Sequence, residues 1–136
     1  MNRLSSSCIY TLRHSASLRE ESEAGGSHKL TEPNKPWRTG SQLWAEAQKA
    51  GDQMAIVFAG ADGTEPGLIY WAIIEDITIN EESQSTTCRY TSLHPVQPPQ
   101  PLSALRLLKS GKQLPDSDIR PYRICQTPGF LAELTE

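Results

Sequence analysis

The stretch from Gly51 to Asn80, GDQMAIVFAGADGTEPGLIYWAIIEDITIN, constrains the fold more than any other part of this chain. Met54 to Ala59 carries no polar side chain. Such a run, bounded by turn residues, fits a strand covered on both faces. Ala61-Asp62-Gly63 and Glu65-Pro66-Gly67 supply the turn, because glycine accepts positive φ while proline fixes φ and withdraws a ladder donor. From Leu68 to Asn80 the chain alternates. Ile69, Trp71, Ile73, Ile77 and Ile79 take odd positions, with Glu75 alone interrupting them. This is the period of a strand with one strongly apolar face. A straight strand of about twelve residues would span roughly 40 Å. That exceeds a small domain, so the strand is expected to bend or bulge, and a bulge at Glu75 would turn that acid outward.

The remaining segments are read around this hairpin. A length of 136 residues suits one domain, spanning 1–136. Cys8 to Leu12 is a short β-like run, whereas residues 15–36, polar and interrupted by Gly-Gly and two prolines, read as a long mobile loop within the domain. Trp37 to Ala50 is predicted helical after its first turn, with Thr39 and Gln42 spaced as a capping box and Gly51 as the left-handed stop. Leu43, Trp44 and Ala47 share its apolar side. Thr86 to Leu93 reads as a strand with Thr86, Cys88 and Tyr90 on one face, and His94 to Pro101 as an extended proline-rich connector. Leu102 to Ser110 has leucines at helical spacing before Gly111, Asp116 is placed to cap a short turn, and Tyr122–Gln126 and Gly129–Leu134 are β-like. The expected architecture is α+β: five or six mostly antiparallel strands forming a meander closed into a small barrel, flanked by two short helices.

Charge and motifs narrow the chemistry. A net charge of −3 argues against broad coating of nucleic acid, although a local basic patch stays open. No apolar run approaches the roughly twenty residues of a membrane helix, and the start MNRLSSSCIYTLRHS lacks the apolar core of a signal peptide. The expectation is therefore a cytoplasmic protein with no membrane partner. Cys8, Cys88 and Cys125 are odd in number and widely spaced, so they read as small buried hydrophobes rather than as a disulfide or zinc framework. His14, His28 and His94 stand in separate segments, and no phosphate loop or hydrolase motif is present. No catalytic residue, metal or cofactor is predicted. Of the aromatics, Trp71 reads first as core. Trp37, at a loop-to-helix junction between Pro36 and Arg38, reads equally as a helix staple and as a wall that stacks a flat ligand.

The order of a Trp before a helix, then Gly-Asp, a buried strand, a Gly-rich turn and a long strand ending in acids resembles the EVE group of PUA-like domains, related to the YTH and ASCH domains. The residues that carry it are Trp37 and SQLWAEAQKAGDQMAIVFAGADGTEPGLIYWAIIEDI, followed by Tyr90, LSALRLLKSGK and PYRICQTPGFL. The resemblance runs from about Trp37 to Leu131. It departs where Arg38-Thr39-Gly40-Ser41 replaces an Arg-Asn pair, where Val57 or Phe58 stands in place of a Tyr, and where the G-x-K-x-x-E signature of ASCH domains is missing.

The resemblance implies a pseudo-barrel that binds DNA or RNA and holds one modified or flipped base in an aromatic pocket. The site residues it suggests are Trp37, Arg38, Trp44, Phe58 and Trp71, with Lys49 and Arg89 as further phosphate contacts. Two alternatives stand beside it. One is a small nucleotide-modifying or hydrolytic enzyme on the same barrel, which needs a convergent acid, His or Lys. The other is a protein-interaction accessory module using the proline-rich connector or the 15–36 segment.

Overall fold

The computed structural model describes residues 3–61, 67–115 and 122–134. Along the chain lie β1 (Arg3–Arg13), α1 (Ser15–Ala24), β2 (His28–Glu32), α2 (Arg38–Ala50), β3 (Asp52–Gly60), β4 (Leu68–Asn80), β5 (Ser85–Tyr90), β6 (His94–Gln100), β7 (Arg123–Gln126) and α3 (Gly129–Leu134). The fold is α+β. Seven strands form one sheet in the order β2-β5-β4-β3-β1-β7, with β6 also paired to β4. The β1–β3 pair is parallel and the others are antiparallel.

The predicted hairpin organises this sheet. β3 lies between β1 and β4, and Met54 to Ala59 are buried throughout, as a run without polar side chains requires. β4 does bulge. Its register with β5 shifts between Ile74 and Asp76, and Glu75 is exposed there. The same strand pairs with β6 through Leu68, Tyr70 and Trp71 and with β5 from Ile74 onward, so the bulge falls where β4 changes partner. A second shift between Leu68 and Tyr70 splits the odd series. Trp71 and Ile73 pack on one side of the sheet with Val57, Leu68, Val96 and Leu105. Ile69, Ala72, Ile74 and Ile77 pack on the other with Ile9, Trp37, Phe58 and Tyr90.

Several expectations are corrected. Residues 15–36 carry α1 and β2 rather than a loop. Leu18 is fully buried, Ser15 and Leu30 are nearly so, and these few residues suffice to seat two short elements that are otherwise partly or fully exposed. Thr39 lies inside α2, which begins after Trp37 with no side-chain cap, so the capping box is not formed. Gly51, at φ 79° and ψ 17°, does end the helix in the left-handed region. Leu102–Ser110 is not a helix. One 3-10 turn, Leu102–Ala104, is followed by an extended piece. There Leu108 donates to Ile124 and Gln126 donates to Arg106, both through the backbone. A nine-residue helix is marginal alone, whereas the extended form covers the open edge of β7. Gly129–Leu134 is helical rather than β-like. The turn residues between positions 62 and 66, and Asp116 with its cap, lie outside the described residues.

The expected barrel closure is absent from the hydrogen-bond pattern, since the paired path runs open from β2 to β7 among the described residues. Aromatic and hydroxyl contacts bridge the gap instead. Ahead of α2, the Trp37 N–H donates to Thr86 Oγ1 at 2.8 Å, on the β2–β5 side. The Trp37 ring lies on that of Tyr122, just before β7, with centroids 4.7 Å apart and planes 7° apart.

Candidate functional site

Three of the five predicted site residues share one core. Trp37 and Phe58 are fully buried in the cluster that also receives the half-buried Trp44. Trp71 sits on the opposite side of the sheet, 5% exposed, with the His94 ring 4.9 Å away. Arg38 points to the surface. Its two terminal nitrogens donate to the two carboxylate oxygens of Glu81 at 3.0 Å each, and one donates to Gln84 Oε1 at 3.1 Å. This fork holds the Glu81 carboxyl below its ordinary range and raises the Arg38 guanidinium. Lys49 is exposed in the last turn of α2, about 16 Å from Arg38 along the helix, so the two do not converge.

Neither Trp37 nor Phe58 offers an open ring face. Tyr122 covers the first, and Tyr90 packs 5.2 Å from the second at a 58° tilt. The indole nitrogens of Trp37, Trp44 and Trp71 are buried without a hydrogen-bond partner. Tyr122 holds its place by a second contact. Its hydroxyl accepts the Gly40 N–H at 2.9 Å in the first turn of α2. A Cβ on Gly40 would stand 3.2 Å from the Tyr122 ring and 2.9 Å from Ile9 Cδ1, so a larger residue there would push on both side chains.

A different group assembles where β1 ends. Arg13 Nη1 donates to Glu21 Oε2 at 2.8 Å and to the Tyr90 hydroxyl, which donates to Glu21 Oε1 at 2.6 Å. Burial first, then donation to Glu21, raises the Tyr90 phenol and keeps it neutral. Two clefts flank the network. One of about 330 Å³ is lined by Arg13, His14, Ser17 and Lys29 among others. The other, about 420 Å³, is lined by Glu21, Ser27, His28, Lys29 and Arg89.

Lys29 and Arg89 are direct partners in the β2–β5 register, and both are exposed. Like charges facing across an antiparallel pair repel. The nearby acids are Glu21, already engaged by Arg13 and Tyr90, Glu32, which lines the first cleft with Lys29, and Asp76, which pairs with Arg89 in register and accepts the Thr78 hydroxyl at 2.7 Å. Of the three cations Arg13, Lys29 and Arg89, the sequence pointed only to Arg89. Arg13 and Glu21 fell at the edge of, and within, the segment read as a loop, and the separation of Glu21 from Tyr90 by 69 positions hides their contact.

No group of three or more His, Cys, Asp or Glu side chains among the described residues could hold a metal ion. No described helix is long and apolar enough to cross a membrane. The site thus belongs to an α+β sheet whose seam is aromatic and whose β2–β5 edge sets Lys29 opposite Arg89. No family model matches the chain, and no curated protein or solved structure matches it either.

Proposed function

We propose that the protein is a nucleic-acid-binding module of the PUA-like, EVE-like kind, which seats a single base against Trp37 and meets the phosphates at the Lys29–Arg89 edge. The observation that carries this reading is the Lys29–Arg89 pair. In a chain of net charge −3, two cations stand directly opposed across β2 and β5, beside a cleft that also holds His28. An anion between them would turn repulsion into two attractions. The aromatic side of the reading rests on Trp37, whose face already takes a ring in parallel stack, the geometry of a bound base. Arg38, turned to Glu81, is a weaker phosphate contact than Lys29 or Arg89. The PUA-like reading draws on the meander β3-β4-β5 and on the seam that brings the two sheet ends together.

The test is anisotropy titration of labelled single-stranded DNA and RNA over a range of salt. Each phosphate neutralised on a single strand adds about 0.7 to the slope of log affinity against log salt. Lys29→Glu combined with Arg89→Glu is expected to lower affinity for every sequence and to flatten that slope by about 1.4. If the wild-type protein binds no oligonucleotide at low salt, the reading fails.

A further inference from the structure

Tyr122 stands apart from an ordinary core residue in three ways. Its backbone is left-handed, at φ 61°, a conformation that strains an aromatic residue. Its ring is half-exposed, yet it covers the fully buried Trp37 in a near-parallel stack. Its hydroxyl takes one of the amides that a helix start leaves without an intrahelical acceptor. Tyr122 is also a wall of a cleft of about 400 Å³, lined with Thr39, Leu107, Leu108, Lys109 and Ile124. That volume lies within the range of small-ligand sites, roughly 300–1,000 Å³. The same ring therefore closes Trp37 off and borders the space beside it.

We infer that Tyr122 is a built-in occupant of a stacking seat on Trp37, and that a planar heteroaromatic ring, a nucleobase, takes the seat by displacing it. This rests on the nucleic-acid reading above and adds its regulation: the free protein holds the seat closed with its own side chain. Displacement is reversible. The ligand restores the stack that Tyr122 gives up, the hydrogen bond lost is the single one to the Gly40 N–H, and release of the left-handed backbone offsets part of its cost. The mostly apolar walls at Leu107, Leu108 and Ile124 accept a ring, and Lys109 at the exposed rim suits a neighbouring phosphate. The competition sets selectivity, because only a ring that stacks better than a phenol displaces it.

The test uses a single-stranded oligonucleotide carrying 2-aminopurine, whose fluorescence is quenched on stacking. Tyr122→Gly removes the occupant and suits the left-handed backbone. It is expected to bind the probe roughly tenfold more tightly than wild type and to quench it more strongly, as befits the loss of one stacking competitor. Trp37→Ala in the Tyr122→Gly background should erase that gain. In the wild-type protein, proton–proton contacts between the Tyr122 and Trp37 rings should disappear from NMR spectra as probe saturates, which tests the inference without any substitution. If wild type binds while Tyr122→Gly leaves affinity and quenching unchanged, or the ring contacts persist at saturation, the occupant is a plain core residue and the inference falls alone. If no variant binds the probe at low salt, the nucleic-acid reading falls and takes the inference with it.

Discussion

The Cys88 thiol is fully buried on β5. Burial, with a smaller effect from the Asp76 carboxylate, pushes its pKa up to about 12. An unfolded chain holds a thiol near 8.5. A folded-state pKa above the unfolded one means the native state keeps a proton that the unfolded state releases. The associated stability is fully present below about pH 8.5 and is lost as pH rises toward 12. Between pH 8 and pH 10 the wild-type urea midpoint should fall, with Cys88 responsible for about 2 kcal/mol of the change. Cys88→Ala should show a correspondingly shallower fall. Cys8, also raised by burial and facing Cys125 across β1–β7, leaves the variant part of the dependence. Identical pH profiles for the two proteins would mean that Cys88 is not held protonated. At this scale much was readable. Three scattered cysteines without a metal spacing read as buried hydrophobes, and all three are buried. The Arg13–Glu21–Tyr90 network was not readable, because a hydrogen bond between distant positions leaves no local pattern.

Among the elements, β4 shows both what periodicity reveals and where it misleads. Alternation found the strand and the break at Glu75, since an acid in an apolar series has to leave the core. It could not show that the bulge at Glu75 leaves Trp71 and Ile73 on the opposite side from Ile77, or that a second irregularity near Ile69 parts that residue from Trp71. Ile74, not Ile73, is the buried isoleucine, at 2% exposure, and Ile73 is half-exposed. Ile74→Ala is thus expected to cost about 2–5 kcal/mol and Ile73→Ala roughly half as much. Chemical denaturation of both variants checks the order, and a larger loss at Ile73 would put the bulge elsewhere. Leu102, Leu105 and Leu108 illustrate a different failure. Their spacing fits a helix, but Leu102 and Leu105 are buried equally well by a 3-10 turn and an extended segment, and covering the edge of β7 decides between them. α1 escaped notice because Ser15 and Leu18 are its only buried residues, too few to set a period.

For the molecule as a whole, the question is what couples the two ends of an open sheet. No ladder hydrogen bond joins β2 to β7 among the described residues. Beside the contact of Arg13 on β1 with Tyr90 on β5, one connection passes through Thr86. Its hydroxyl accepts the Trp37 N–H and donates to the Lys35 carbonyl, both at 2.8 Å, fixing the segment before α2 onto β5. Trp37 then lies against Tyr122, which leads directly into β7. Thr86→Val keeps the shape but leaves a buried N–H and a carbonyl without their partner, a loss of about 1–3 kcal/mol. A purely local role for Thr86 would raise amide exchange only near residues 35–38 and along β2 and β5. A seam predicts more. When Trp37 loses its anchor, its stack on Tyr122 loosens, and the amides of Arg123 to Gln126 should exchange faster together with those of His28 to Glu32. The amides of Ala55 to Phe58, in the middle of the sheet, should change only by the global loss of stability. Hydrogen exchange on Thr86→Val against wild type separates the cases. Acceleration confined to the β2–β5 side would show that the two ends meet without depending on each other.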